Sequence, residues 1–346
     1  MLTKVIEQAK IDHFSKWFER ADKIVIVSHV SPDGDAIGSS LGLYHFLDSQ
    51  EKTVNVIVPN AFPDFLRWMP GSKDILLYAN YWFTKGGHNE ADYAEQARAV
   101  KAAGFKGLKF DPFAHTNYFY GEDLASNLTL TPAQQDLAFN VSKAVREAVG
   151  PEVDIMIETH AMLNYRIAVK MAERLATLDI AWYEEPAGPE SSQTLRAMRE
   201  RIPSDVAICV GERHYTRFGI RSLLEKHVCD IIMPDITRCG GPSEMKRMAT
   251  MAEAYQVLLA PHNPNGPLST LASSHVCASV PNFFRQEFMF NDVPWRDTVI
   301  DHPIADMVYD GHLHLSDRPG LGVDLVEEEM EKHPGITSNP PENFYI

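Results

Sequence analysis

The feature that most constrains this chain is a long alternation of short apolar segments and amphipathic helical stretches, running from about residue 76 to residue 287. Alternation of this kind implies βα repeats and a parallel sheet. LLYANYWF (76–83), GLKF (107–110), VDIMIE (153–158), IAWYE (180–184), VAICVG (206–211), DIIMP (230–234), VLLAP (257–261) and FFRQE (283–287) are predicted strands. Stretches 90–104, 133–150, 166–178 and 242–256 carry apolar residues at three- and four-residue spacing and are predicted helices, with more helix in the other gaps. Eight strands with intervening helices are the count of a closed α/β barrel, TIM-type (β/α)8 or (β/α)7β, assigned to residues 79–300.

In a barrel the chemistry gathers at the C-terminal strand ends. Here those ends read Lys109, Glu158, Glu184, Glu212, Asp235, His262 and Glu287, and from Glu158 onward the steps are 26, 28, 23, 27 and 25 residues, close to one βα unit each. Carboxylates crowded at a barrel mouth repel and desolvate one another unless a cation or proton compensates. Three of them on adjacent strands make a hard oxygen cage for Mg²⁺, with positions left for substrate or water. Singly, each has a plainer explanation: Glu184 as partner of a barrel arginine, Glu212 as a loop salt bridge, His262 as a capping residue. Their common register favours one shared site.

Residues 1–78 follow another pattern, read as helix, strand, helix, strand, helix. KIVIVSHV (23–30) and TVNVIVP (53–59), joined by a helix at 36–47, suggest a partial Rossmann-like parallel βαβ unit. His29, Asp33 and Asp35 lie on the loop after the first strand, where open α/β sheets place ligands, and such a trio can hold Mn²⁺. This stretch resembles the opening of the DHH phosphoesterase family, whose first metal motif is His-x-x-x-Asp-x-Asp. The Asp-His-His triplet of that family occurs nowhere in this sequence, so residues 1–78 are expected to be a truncated fragment with an incomplete half-site.

The later segments IMIETH (155–160), WYEEP (182–186), VGERHYTRFG (210–219), IIMPDITRCGGPSE (231–244), LLAPHNPNGPLS (258–269) and RPGLGVDL (318–325) resemble the enolase superfamily, in its mandelate racemase-like branch with galactonate dehydratase-like members. The resemblance covers about residues 76–335. It implies that Glu158, Glu184 and Glu212 carry one Mg²⁺ and that His262, paired with Asp235, is the general base. It implies that His160 is the general acid and that Glu287 helps bind the substrate carboxylate or its enediolate. The reaction implied is removal of the proton α to a sugar acid's carboxylate, then loss of the β-hydroxyl as water, giving a 2-keto-3-deoxy acid. A histidine backed by a carboxylate suits the first step, and His160, two residues beyond a ligand, suits the second.

Several positions depart from the family pattern. Glu158 stands where the family usually has Asp. Ala161-Met162 replaces a frequent Gly-Arg. Lys109 matches the first lysine of Lys-x-Lys, but the second position is Asp111. Both are expected to bind substrate, although Asp111 serves equally well as a turn cap. The family's usual N-terminal α+β capping domain is replaced by the phosphoesterase-like fragment. The chain therefore reads as a fusion, joined near residues 75–81. Its tail (301–346), which would pack on the cap, is expected to expose apolar residues, and turnover is expected to be low.

Composition sets outer limits. A net charge of −15 argues against a nucleic-acid or anionic-membrane partner. The cysteines (Cys209, Cys229, Cys239, Cys277) include no Cys-x-x-Cys pair, hence no zinc knuckle or disulfide framework. No signal-peptide h-region or membrane-length apolar run occurs, so a cytoplasmic protein acting on a small sugar acid is expected. Assembly into a homo-oligomer is implied by the resemblance. Competing readings are a phosphoesterase or nuclease working through His29, Asp33 and Asp35, a racemase or cycloisomerase of the same superfamily, and a barrel without catalysis.

Overall fold

The computed structural model describes residues 16, 20–21, 23–27, 34–50, 52–57, 74–84, 89–113, 129–290 and 292–333. The chain divides into two compact units, 1–72 and 73–346. In the first, β1 (Lys23–Val27) and β2 (Thr53–Ile57) pair in parallel across α1 (Gly34–Asp48), as a βαβ connection requires. The predicted metal residues His29 and Asp33 lie outside the described residues, as do the predicted flanking helices apart from Lys16 and Arg20; Asp35 sits on the first turn of α1.

The second unit is built on strands β3 (Asp74–Asn80), β4 (Gly107–Phe110), β5 (Asp154–Glu158), β6 (Trp182–Glu184), β7 (Ile208–Val210), β8 (Ile231–Ile232) and β9 (Leu258–Leu259). They pair in parallel, in sequence order, and β10 (Gln286–Met289) returns to lie beside β3. Between β9 and β10 there is no continuous ladder. The step is spanned by a single bridge, Leu259 to Phe283, with hydrogen bonds from Phe284 N to Leu259 O and from Leu259 N to Asn282 O. The sheet is thus barrel-like, and the full closure expected from eight strands is reduced to those contacts. β3 starts earlier than predicted and ends at Asn80, so it runs across the expected 78/79 boundary.

Helices α2 (Glu90–Ala102), α3 (Pro132–Val149), α4 (Tyr165–Ala176), α5 (Ser192–Arg199), α6 (Thr216–Glu225), α7 (Pro242–Glu253) and α8 (Pro267–Cys277) fill the gaps between strands. Their starts follow from local chemistry. Asn89 with Asp92, and Thr131 with Gln134, form reciprocal capping boxes, and α3, α7 and α8 each open on a proline. Each helix turns its apolar stripe onto the outer sheet surface, and the core between the two layers runs through Leu108, Ile155, Ile157, Tyr183, Ile208 and Ile232.

The alternate strand residues point the other way. Tyr78, Met156, Trp182, Cys209, Ile231, Met233 and Ala260 form a separate interior cluster. A strand repeats its direction every second residue. Glu158 therefore follows Met156 inward, Glu184 follows Trp182, Asp235 follows Met233 and His262 follows Ala260. The apolar interior is a floor, and the polar strand ends stand above it.

Gly211 breaks this rhythm between Cys209 and Glu212. Its φ is +139°, and a Cβ there would meet the Met233 amide nitrogen at 3.0 Å. Gly211→Ala is expected to cost about 1–3 kcal/mol of stability, measured by urea denaturation; an unchanged midpoint would show that the turn tolerates a side chain.

Beyond the barrel-like sheet, β11 (Val308–Tyr309) and β12 (His312–His314) form an antiparallel hairpin, with β12 also antiparallel to the start of β3. A short helix, α9 (Glu327–Lys332), follows. The expectation that this tail exposes its apolar residues holds only in part. Ile304, Met307 and Leu313 are buried in the main core because the hairpin covers β3, while Tyr309, Leu325 and Met330 are exposed.

Candidate active site

The ends of β5, β6 and β7 bring Glu158, Glu184 and Glu212 together, one carboxylate oxygen from each lying within 4.8 Å of the others. All three are buried. Burial favours the neutral acid, and beside a charged Glu158 it pushes Glu184 well above the usual carboxylate range. Glu158 stays ionised: burial opposes this, but the charge of His160 and a hydrogen bond with Glu184 outweigh it. Two buried carboxylates this close together disfavour a full charge on both. Glu212 Oε2 is buried with no hydrogen bond among the described residues, and His262 Nε2 stands 3.2 Å from it.

Buried, anionic, oxygen-only and incompletely satisfied, this trio fits a hard divalent cation such as Mg²⁺. A metal binds the ionised carboxylates and so competes with protons for Glu184. Affinity for Mg²⁺ is accordingly expected to rise with pH, by up to about tenfold per unit, until Glu184 is ionised, as read by calorimetric titration at several pH values. The sign for stability is opposite. An acid whose pKa is raised by folding binds more protons folded than unfolded, so the metal-free protein loses stability as pH rises above the ordinary carboxylate range. A pH-independent affinity would rule out that competition.

Lys109, predicted to meet substrate, is almost wholly buried within this acidic group. Its Nζ pairs with Glu184, lies 2.9 Å from Glu287 Oε1 and 3.6 Å from Glu158 Oε2. Burial opposes its charge, but Glu184 and Glu287 overcome that and raise its pKa well above the usual lysine value. Glu287, at the inward face of β10, is further held by Asn80 Nδ2 on Oε1 and the Asn263 amide on Oε2, both at 2.6 Å.

His262 Nδ1 lies 3.0 Å from Asp235 Oδ2. Asp235 also accepts Asn265 Nδ2 at 3.0 Å, the Thr237 amide at 2.8 Å and the Thr237 hydroxyl at 2.6 Å. Burial works against its charge, but hydrogen bonds from His262 and Thr237 hold the carboxyl down at about 2. His262 is itself raised: burial lowers it, and Glu212 and Asp235 more than offset that.

His160 stands on the other side of the glutamates. Its amide donates to Glu158 Oε1 at 2.6 Å, Arg213 Nη2 donates to its carbonyl at 2.8 Å, and its Nδ1 lies 2.9 Å from Asp111 Oδ2. His160 and Ala161 both have left-handed backbones, φ +50° and +58°. Burial disfavours the imidazolium, but Glu158 and Asp111 raise its pKa to about 9. Asp111 also takes the Phe113 amide on Oδ1, so the turn-capping alternative holds, and its other oxygen is committed to His160.

Every predicted barrel residue thus converges here. Sequence reasoning missed Asn80, Arg213, Thr237, Asn263 and Asn265. Asn80 was hidden by a predicted strand that ran on to Phe83. Arg213, Thr237, Asn263 and Asn265 carried a usable signal, since each lies within three residues of a predicted site residue. The four cysteines are buried and free. Among the described residues no helix is long and apolar enough to cross a membrane.

Fold and site together define a class, an α/β barrel-like unit with a carboxylate cluster set between two histidines at its strand ends. Residues 92–329 match the family described as Enolase C-terminal domain-like, and the chain belongs to that family. It is 30% identical over 263 residues to the D-xylonate dehydratase of Haloferax volcanii, covering 75% of this chain and 61% of that protein. To the D-gluconate dehydratase of Thermoproteus tenax it is 31% identical over 270 residues, covering 77% and 51%. A mandelate racemase/muconate lactonizing enzyme-like protein from Rubrobacter xylanophilus matches with a TM-score of 0.69 at 32% identity, over 76% of this chain and 69% of that one. An enolase-superfamily member from Salmonella Typhimurium matches with a TM-score of 0.70 at 28% identity, over 79% and 71%. The chain spans 61% and 51% of the two curated relatives' lengths. The comparisons lend no support to the phosphoesterase-like reading of residues 1–78, to Mn²⁺ there, or to a fusion.

Proposed function

We propose that this chain carries the catalytic unit of a Mg²⁺-dependent sugar-acid dehydratase, a hydro-lyase that turns a sugar acid into a 2-keto-3-deoxy acid. The observation that carries the reading is the three-glutamate cluster flanked by His262 and His160. Glu158, Glu184 and Glu212 would hold Mg²⁺. Bound there, the ion supplies Lewis-acid stabilisation of the charge that develops on the substrate carboxylate.

The remaining work falls to side chains. His262 gives its Nδ1–H to Asp235, which leaves Nε2 to take the α proton once Glu212 is no longer its counter-charge. Glu287, fixed by Asn80 and Asn263, and Lys109 line the wall that meets the carboxylate end of the substrate. His160, the more open of the two histidines, returns a proton to the departing β-hydroxyl. The floor of Tyr78, Trp182 and Cys209 keeps water from beneath. The net charge of −15 disfavours a nucleic acid as partner, and a small acid as substrate and assembly into a homo-oligomer are part of this proposal.

The relatives act, by their names, on D-xylonate and D-gluconate. Incubation of the protein with Mg²⁺ and a panel of aldonic acids should yield 2-keto acid, detected as a semicarbazone. Deuterium exchange at Cα without water loss would instead favour a racemase or cycloisomerase. Neither product nor exchange from any acid, with Mg²⁺ bound, would favour a barrel without catalysis.

A further inference from the structure

The two histidines are mounted alike. At the end of β8, Asp235 takes the amide of the residue two further on, Thr237, on Oδ1 at 2.8 Å, and its Oδ2 holds His262 Nδ1 at 3.0 Å. At the end of β4, Asp111 takes the amide of Phe113, again two residues on, upon Oδ1 at 2.7 Å, and its Oδ2 holds His160 Nδ1 at 2.9 Å. In each case the histidine comes from the next strand, β9 or β5, and the two aspartates lie four strands apart in the sheet. The carboxylates are buried, and both are braced by the chain before they meet the ring. His160 is fixed in addition through its amide on Glu158 and its carbonyl on Arg213. Nothing in the sequence resemblance assigned this partner to Asp111.

We propose that Asp111 is the positioning residue of a second His–Asp pair, holding His160 with Nδ1 protonated and Nε2 turned to the leaving hydroxyl. This rests on the dehydratase reading for its chemistry, though not for its geometry. An aspartate behind an imidazole sets its tautomer and orientation, and the isosteric amide presents N–H where an acceptor is needed. The proton balance is simple. His262 takes the α proton, the C–O bond at Cβ breaks as a Cα=Cβ bond forms, and the proton on His160 leaves with the hydroxyl as water; the enol left behind becomes the 2-keto acid as Cβ takes up a proton and the enol hydroxyl gives one up, which restores both histidines.

The test compares Asp111→Asn, His160→Asn and the double variant with the parent protein. Asp111→Asn should lower kcat for dehydration about 10²–10⁴-fold with KM within a few-fold, while Cα–H exchange in D₂O, driven by His262, continues. The double variant should be no slower than His160→Asn alone. Dehydration unchanged in Asp111→Asn, or a further loss in the double variant, would overturn the proposal. If Asp111→Asn loses the Mg²⁺-induced thermal shift, Asp111→Glu, which keeps the carboxylate, should recover dehydration, and its failure to do so would count against the proposal. A readout independent of turnover is ¹⁵N NMR of histidine-labelled protein. The parent should show His160 protonated at Nδ1, a signal lost in Asp111→Asn and retained in Asp235→Asn. Its absence from the parent sinks the pairing, whereas an inactive parent that shows it sinks only the dehydratase reading.

Discussion

Replacing Lys109 with methionine is expected to destabilise the metal-free protein by about 3–5 kcal/mol, because it removes one member of a buried charge group and leaves the others uncompensated. Nζ pairs with Glu184 and sits 2.9 Å from Glu287 and 3.6 Å from Glu158, out of reach of water. Methionine nearly preserves the volume, so the loss is electrostatic rather than a cavity. Without the ammonium some of the glutamates must take up protons or move apart. A bound divalent cation supplies part of the missing charge, so saturating Mg²⁺ should narrow the gap between variant and parent. Urea denaturation in EDTA and in Mg²⁺ measures both values. Equal stability in EDTA would show that Lys109 does not balance the cluster.

The second large effect is on chemistry. His262→Asn should lower turnover about 10²–10⁴-fold, the usual contribution of a positioned general base. It should also abolish deuterium uptake at Cα and leave the Mg²⁺-induced thermal shift in place. This profile differs from that expected of His160→Asn, which stops water loss but permits exchange. If exchange survives in His262→Asn, the α proton is removed by another group, and Lys109, beside Glu287, becomes the first to examine. Asp235 lies behind the ring and should show a smaller version of the same loss.

Much of this site was legible in the residue order. A parallel strand covered by helices outside and packed within is apolar on both faces, so the first charged group at its C-terminal end stands out. Glu158, Glu184, Asp235 and His262 each follow an interior residue at spacing two, and spacing two means the same face. The helix starts were equally readable, since Thr131-Pro132 and Asn89 are chemical signals. The strand boundaries were not. The apolar run at 76–83 continues past Asn80 only because Trp82 and Phe83 belong to the next core layer, where they pack against Tyr93 and Phe110.

By itself, the sequence determined which residues face inward and which family of folds they can enter, because both depend on local periodicity and on one βα unit at a time. Only the tertiary structure decided how those residues pair. Asn80 meets Glu287 across 207 positions because β10 returns beside β3, and Asp111 meets His160 because β4 and β5 lie side by side above a common floor. Lys109 becomes the counter-charge of several glutamates rather than a free cation for the same reason: interior charges must find partners, and the curvature of the sheet chooses which ones are within reach.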